Sequence, residues 1–295
     1  MDNEPSWDLL RTFAAVMQEG SLSGAARSLG IAQPSVSRHI DELERSLAAK
    51  LFVRSQRGLS PTDRALAIAP YAEALSATAT ALLRAASAPP DAVAGTVRVT
   101  ASQAVAVGHL PPILAALRRE HPRLSIELVP SDALDDLLAR RADIAVRMVD
   151  PVQQALVARR VGSVTLGLYA SQEYLARRGV PGSLEDLAGH DLIGPDTPTP
   201  FVRAVLAKLP TADLTSFALR SDSDVVHLAA IRAGVGIGVA QVELARRDLA
   251  LVRVLPDGFA HELPLWVAMH EDLRTSPRCR IVFDALADGL ATSTA

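Results

Sequence analysis

Three stretches of the sequence carry side chains whose type and spacing could do chemistry. The first is Gln33-Pro34-Ser35-Val36-Ser37-Arg38-His39. Val36 and Ile40 stack on one face of a helix. Gln33, Ser35, Ser37, Arg38 and His39 fall on the other face, a set of hydrogen-bonding groups fit for base edges and phosphates in a DNA major groove. On this pattern alone, a helical hairpin with a solvated polar face is an equal reading. The second stretch is Thr100-Ala101-Ser102-Gln103-Ala104, where an apolar strand hands over to a helix. Backbone N–H groups with Ser102 and Gln103 would suit a small anion, and a plain helix cap is an equal reading of the same residues. The third is Arg147 after the apolar run Ile144–Val146, able to offer a fixed charge to a carboxylate or to pair with Asp143 or Asp150. Ser131, Phe201, Asp222 and Ser223 stand at further strand ends or loops. Thr197 and Thr199 could cap the helix that follows them, and Asp222 and Asp224 could equally cap a helix over 225–233.

Other familiar chemistries do not assemble. Gly234, Gly236 and Gly238 miss the spacing of a dinucleotide loop and precede a strand instead of following one, so close packing of helix on strand explains them better. The seven histidines (39, 109, 121, 190, 227, 261 and 270) are scattered, with no H-E-x-x-H and no G-x-S-x-G. No convergent acid–base or nucleophile set is apparent, so no enzyme, metal or cofactor is expected. The single cysteine, Cys279, lies between Arg278 and Arg280, charges that could lower its pKa and make a redox sensor. An ordinary thiol is the plainer reading.

The elements needed to position these groups follow from periodicity. Leu10, Phe13, Ala14 and Met17 recur at helical spacing. Ser21 caps a short helix carrying Leu22, Ala25, Ala26 and Leu29, and Gly30 ends it. A third helix opens at Gln33-Pro34 and continues through Val36, Ile40, Leu43 and Leu47. Residues 52–61 should form a loop or small hairpin. From Thr62 a long helix places Ala65, Ile68, Ala72, Leu75, Ala79, Leu82 and Ala86 at heptad spacing, a seam for pairing with a second copy or for packing on its own domain. Pro70 should kink it. Ser87-Ala88-Pro89-Pro90-Asp91 reads as a linker. Beyond it, strands near 97–101, 126–129, 144–147, 164–170, 192–193, 217–219, 236–240 and 265–269 alternate with helices, including one at 132–140, as in a mainly parallel sheet arranged in two lobes.

The 295 residues leave room for two domains, and 49% hydrophobic content is ample for a core. The net charge of −3 excludes a generally basic coat. Residues 21–64 nevertheless hold seven Lys and Arg (Arg27, Arg38, Arg45, Lys50, Arg54, Arg57 and Arg64) against four acids, a local net of +3 where phosphate contacts would need it. The N-terminus is acidic, without the pattern of a secretory signal. The most apolar window, 99–117, is interrupted by Gln103, His109, Pro111 and Pro112, and no uninterrupted apolar run reaches the roughly 18 residues of a membrane span. A cytoplasmic protein with no membrane partner is expected.

The longer run Ala25-Ala26-Arg27-Ser28-Leu29-Gly30-Ile31-Ala32-Gln33-Pro34-Ser35-Val36-Ser37-Arg38-His39-Ile40, followed by Leu43-Glu44, Leu47 and Leu51-Phe52-Val53-Arg54, resembles the signature of LysR-type transcriptional regulators. The resemblance spans the whole chain. It implies an α/β protein in three parts. An N-terminal winged helix-turn-helix would occupy 1–61 and a linker and dimerisation helix 62–88. A two-lobed effector domain of periplasmic-binding-protein type II would occupy 89–295, with lobe I at about 93–163 and 268–295 and lobe II at about 164–267. It further implies that Gln33, Pro34 and Ser35 open the recognition helix over base edges. Ser37 and Arg38 would bond phosphates or bases, and Arg54 and Arg57 would grip the backbone near the wing. Thr100, Ser102, Gln103, Ser131, Arg147, Phe201, Asp222 and Ser223 become the effector-site candidates, with a small organic acid or amino-acid-like ligand as the default class.

The implied function is a sequence-specific DNA-binding regulator, a homodimer and then a homotetramer. Its effector would change lobe packing and so DNA bend or contact with RNA polymerase. The alternatives are a constitutive regulator without ligand, and a solute-binding protein or enzyme on the same fold. Three positions depart from the family pattern. Ala32 stands where Ser or Thr is usual, Ala48 replaces a common Gly, and Pro61-Thr62-Asp63-Arg64-Ala65 only partly matches the usual start of the linker helix.

Overall fold

The computed structural model describes residues 4–55, 58–86, 93–131, 141–151, 156–209 and 215–293. The expected linker at 87–91 and helix at 132–140 lie outside the described residues. The chain divides into two compact units, with the division at Ser87/Ala88.

The first unit runs α1 (Trp7–Glu19), α2 (Leu22–Leu29), α3 (Gln33–Ser46), β1 (Phe52–Ser55), β2 (Gly58–Pro61) and α4 (Asp63–Ala86). Gly20 and Gly30 end α1 and α2 in the left-handed region, at φ 64° and 67°, where a side chain would be strained. The Ser21 hydroxyl accepts the Gly24 N–H at 3.1 Å and caps α2. Phe13, Val16, Ala25, Val36, Leu43, Leu51 and Ala65 form the core, all at 1% exposure or less. Small Ala25 and Ala26 let α2 cross α1 and α3 closely. β1 and β2 pair antiparallel from Phe52↔Pro61 to Ser55↔Gly58, so the stretch expected as a loop or hairpin is a hairpin.

Two family departures have visible geometry. Ala32 is the N-cap of α3 and supplies no side-chain cap. Ala48 sits at φ 47°, a left-handed position for a residue with a Cβ. There it closes a Schellman turn, with Ala48 N–H on Arg45 O at 3.3 Å and Ala49 N–H on Glu44 O at 3.0 Å.

Pro70 does not interrupt α4, which is continuous from Asp63 to Ala86. The expected seam is divided. Ala65, Ile68 and Ala72, with Ala69 beside them, pack into the unit's own core. Leu75 and Leu82 are exposed, as are Tyr71 and Leu83 beside them.

The second unit is built on a nine-stranded sheet. Its elements are β3 (Gly95–Ala101), α5 (Gln103–Gly108), α6 (Leu110–Glu120), β4 (Leu124–Pro130), β5 (Ile144–Arg147), β6 (Leu156–Ser171), α7 (Gln172–Arg178) and β7 (Leu192–Gly194). They continue with α8 (Pro200–Leu206), β8 (Leu219–Arg220), α9 (Asp224–Arg232), β9 (Ile237–Gln241), α10 (Val242–Ala245), β10 (Leu251–Val254), β11 (His261–His270) and α11 (Pro277–Ser293). The strand order is β4-β3-β5-β11-β6-β9-β7-β8, with β10 also on β6. Within each lobe the outer strands are parallel: β4, β3 and β5 in one, β7, β8 and β9 in the other. The long strands β6 and β11 run antiparallel through both lobes. Their register slips where Leu265 faces Gly162 but Trp266 faces Arg160, leaving Val161 as a bulge beside Gly162 at φ 146°.

The periodicity located most of these strands but not their full extents. β6 starts at Leu156, well before the apolar run at Val164, because its first half carries Arg159 and Arg160. The short β10 was not expected, and the strand expected at 217–219 lies at Leu219–Arg220. Gly236 explains the glycine cluster. A Cβ there would lie 2.1 Å from Asp191 O, the same oxygen that accepts the Ile237 N–H at 2.8 Å.

Candidate functional site

In the first unit, α3 buries Val36, Ile40 and Leu43 and exposes Gln33, Pro34 and Arg38, with Ser35 and Ser37 half-buried beside them. The exposed face therefore carries donors and acceptors in its first two turns. It continues with Asp41 and Glu42, both exposed. Those carboxylates make the second half of that face unfavourable for a phosphate.

His39 is also tied to α1. Its Nδ1 lies 2.8 Å from Thr12 Oγ1, and the Thr12 hydroxyl proton is already given to Asp8 O at 2.7 Å. His39 Nδ1 is thus the donor and ties α3 to α1, leaving Nε2 as the ring's other polar atom. Arg54 lies on β1 opposite Leu59, and its side chain is outside the described residues, as is all of Arg57.

Behind the recognition face lies a group that the motif did not single out. The Glu44 side chain is 6% exposed and receives the Leu51 N–H at 2.8 Å, the Phe52 N–H at 3.2 Å and Lys50 Nζ at 2.5 Å. It thereby locks the end of α3 to the start of the wing. Burial pushes its pKa up, but the Lys50 ammonium and the two backbone donors outweigh that and hold it below the ordinary carboxylate value.

In the second unit, four of the effector-site candidates form two pairs. Arg147 donates to Thr100 Oγ1 at 3.0 Å and to Val146 O at 3.0 Å. Ser131 follows β4, with its N–H on Ala101 O at 2.8 Å. Ser102 is the residue before α5, 3% exposed, and its hydroxyl has no hydrogen-bond partner among the described residues. Ser223 caps α9 and donates to Gln103 Oε1 at 2.6 Å, a bond from one lobe to the other.

Asp222 is engaged locally. It accepts the N–H groups of Asp196 and Thr197 at 2.9 and 2.8 Å and the Thr197 hydroxyl at 2.6 Å. These bonds, the Thr197 hydroxyl first, lower its pKa. The cap of α9 is accordingly Ser223, with Asp222 clamping the 196–197 loop, and Thr199 caps α8. The Phe201 ring lies 6.0 Å from that of His261, and Phe201 lines an apolar cavity of lobe II.

Three contacts that the sequence reading missed also join the lobes. His109 Nε2 meets Gln241 Oε1 at 3.1 Å, with both residues buried. Burial lowers the His109 pKa, so the ring is neutral and donates here. Gln241 Nε2 reaches Met148 Sδ at 3.7 Å, and Arg247 donates to Gly108 O at 2.7 Å. A glutamine closing the apolar run Ile237–Ala240 was the available signal.

A partly open apolar cavity of about 150 Å³, lined mainly by lobe II, lies beneath α8. Cys279 is 1% exposed, and burial pushes its thiol pKa up. That is the reverse of the lowered pKa that a redox sensor would need. Among the described residues, no cluster of His, Cys, Asp or Glu could hold a metal ion.

Comparison with known proteins bears on these sites. Residues 7–66 match the bacterial regulatory helix-turn-helix protein family of lysR type, and residues 90–291 match the LysR substrate binding domain. The chain is 27% identical over 289 residues to the transcriptional regulator CrgA of Neisseria meningitidis, covering 96% of this chain and 97% of that one. It is 27% identical over 281 residues to the regulator PgrR of Escherichia coli, with 90% of each chain covered. The solved structure of CrgA superposes with a TM-score of 0.60 at 26% identity, covering 98% of this chain and 99% of that chain. The full-length virulence activator AphB of Vibrio cholerae shares the fold, with a TM-score of 0.63 at 22% identity over 95% of this chain and 98% of that chain.

Proposed function

The chain belongs to the LysR family of transcriptional regulators, and we propose that it binds operator DNA sequence-specifically under the control of a small molecule held between its two lobes. The observation that carries the DNA half is the asymmetry of α3. Its apolar face is buried, and Gln33, Pro34, Ser35, Ser37 and Arg38 occupy the free end, where a recognition helix meets base edges. His39 contributes chiefly by fixing the helix on α1. Arg54 and Arg57 take the backbone-gripping role of the wing.

A salt titration with operator DNA tests this half. Arg38→Ala should weaken specific binding by about tenfold or more, within the 1–3 kcal/mol of a base or phosphate contact. Arg54→Ala should weaken all sequences alike and lower the slope of log affinity against log salt by about 1. A flat salt response, or unchanged binding in both variants, overturns the assignment.

The effector half is supported by the polar groups at the lobe junction. The Ser223–Gln103 bond holds the lobes together, while the buried Ser102 hydroxyl beside it lacks a partner. A ligand that bonds Ser102 and competes for Gln103 favours one lobe arrangement over another, and only such a difference can shift DNA affinity. Arg147 is the group in this cluster that would hold an organic acid. Arg147→Ala therefore separates an acidic effector from a neutral one. Footprints that are identical with and without a proven ligand would favour a constitutive regulator.

We assign the uncovered Leu75 and Leu82 of α4 to pairing with a second copy, as a dimer that doubles into a tetramer. By length and composition α4 is also apolar enough to cross a membrane. Ala65, Ala69 and Ala72 are packed in the first unit, however, and the regulator works in the cytoplasm beside DNA and RNA polymerase.

A further inference from the structure

The proposed function leaves open what chemistry the effector has. The cavity in lobe II bears directly on this. Its wall includes Leu166 and Leu168 of β6, Leu192 of β7, Val205 of α8, Ile237 of β9 and Phe217. Ala104 at the start of α5 and Met148 after β5 also line it, so the cavity borders the other lobe. At about 150 Å³ it matches an engineered apolar cavity that stays dry and admits benzene.

The polar groups on its wall are few. His227 Nε2 already lies on Gly194 O at 3.0 Å and on Ser221 O at 2.6 Å. Asp224 is the only carboxylate, and no arginine or lysine lines the space among the described residues. Gln241 is the exception. It is 5% exposed, with Oε1 held by His109, while its amide nitrogen meets the sulfur of Met148 at 3.7 Å. A thioether is a weak acceptor, so this buried N–H donor is poorly satisfied.

We infer that this cavity is the effector pocket and that its ligand is a neutral, mainly apolar molecule of one ring. A single carbonyl-type oxygen on that ring would replace Met148 as the acceptor for Gln241. The inference rests on the regulator reading, and it seats the ligand against Gln241 instead of at the Ser102, Gln103 and Arg147 cluster. Three constraints lead to it. The volume admits one six-membered ring with a short substituent. The apolar wall gains by contact with carbon. A carboxylate would be buried with no cation and beside Asp224, which is costly. The small organic acid suggested by Arg147 therefore does not suit this pocket. Occupancy would also bear on lobe closure, because the Gln241 that greets the ligand is the residue that His109 binds from the other lobe.

The test uses the full chain and three probes of matched size: acetophenone, ethylbenzene and benzoate, titrated by ligand-observed NMR. Acetophenone is expected to bind saturably. It should bind about tenfold more tightly than ethylbenzene, the value of one well-made neutral hydrogen bond. Benzoate should bind at least about tenfold more weakly than acetophenone. Val205→Phe, which fills the cavity, should abolish acetophenone binding. Gln241→Met should erase the preference for acetophenone over ethylbenzene while ethylbenzene still binds, and it decides the matter if Val205→Phe fails to fold. Absence of saturable acetophenone binding overturns the inference. So does benzoate binding as tightly as acetophenone, or acetophenone affinity unaltered in Val205→Phe. If benzoate binds and Arg147→Ala removes it, the ligand class proposed here is wrong while effector control stands. If operator binding is intact in both Arg38→Ala and Arg54→Ala, the DNA-binding reading on which the inference rests has failed.

Discussion

Removing Glu44 separates two explanations for how the wing is held. Its carboxylate has an ion pair with Lys50 and accepts two backbone N–H groups, from Leu51 and Phe52. The ion pair is the weaker partner, because the Lys50 side chain is 74% exposed and solvent screens it. The backbone donors are different, because Leu51 is fully buried and its N–H has no water to turn to. A buried donor left unmade costs about 1–3 kcal/mol, and Phe52 adds a smaller share. Glu44→Ala should therefore destabilise the first unit by about 2–4 kcal/mol. Glu44→Gln keeps an acceptor oxygen and loses only the charge assistance, about 1 kcal/mol. Lys50→Met should barely move the transition.

The assay is urea unfolding followed by Trp7 fluorescence in a Trp266→Phe background, since the chain has two tryptophans and only Trp7 lies in the first unit. With a slope of about 1–2 kcal/mol per molar, Glu44→Ala should lower the midpoint by roughly 1–4 M. The pH dependence has a defined sign. The folded pKa of Glu44 lies below its ordinary value of 4.5. Its contribution is complete above about that pH and is lost as pH falls through the lower folded value. Lys50→Met matching Glu44→Ala, or Glu44→Gln costing as much as Glu44→Ala, would refute this reasoning.

Four further outcomes follow from local geometry. Ala48→Gly should stabilise the first unit by about 0.5–1 kcal/mol, because relief of the left-handed strain exceeds glycine's entropy cost, and the same urea transition measures it. Ala32→Ser should add about 1 kcal/mol by supplying the missing N-cap of α3, whose N-cap backbone is already extended at φ −70°, ψ 140°. Gly236→Ala should destabilise the second unit, since its Cβ would meet Asp191 O at 2.1 Å, and a lowered midpoint by Trp266 fluorescence would register it. Ser223→Ala should loosen lobe closure by removing the bond to Gln103, seen as faster amide exchange in α5 and at the start of α9.

The sequence by itself determined the local elements and the family. Gly20 and Gly30 act through their own backbone and Ser21 through a hydroxyl that bonds Gly24, three residues on, so the turns of the helix-turn-helix were readable from residue type. The 3.6-residue repeat of Val36, Ile40 and Leu43 likewise decided which face of α3 is buried. Even the two irregular positions, Ala32 and Ala48, were visible as departures from the family pattern. What periodicity could not assign was any choice between partners. The apolar seam of α4 reads the same whether it packs on its own domain or on another chain, and the tertiary structure divides it at Ala72. The spacing puts His39 on the polar face of α3, but its tie to Thr12, 27 residues earlier, is not legible there. The joining of the lobes depends on Gln103 with Ser223 and His109 with Gln241, pairs 120 and 132 residues apart. The cavity is made by strands and helices that share no local pattern. Such contacts are set by how the sheet is ordered and twisted, a property of the whole chain that no short window of sequence contains.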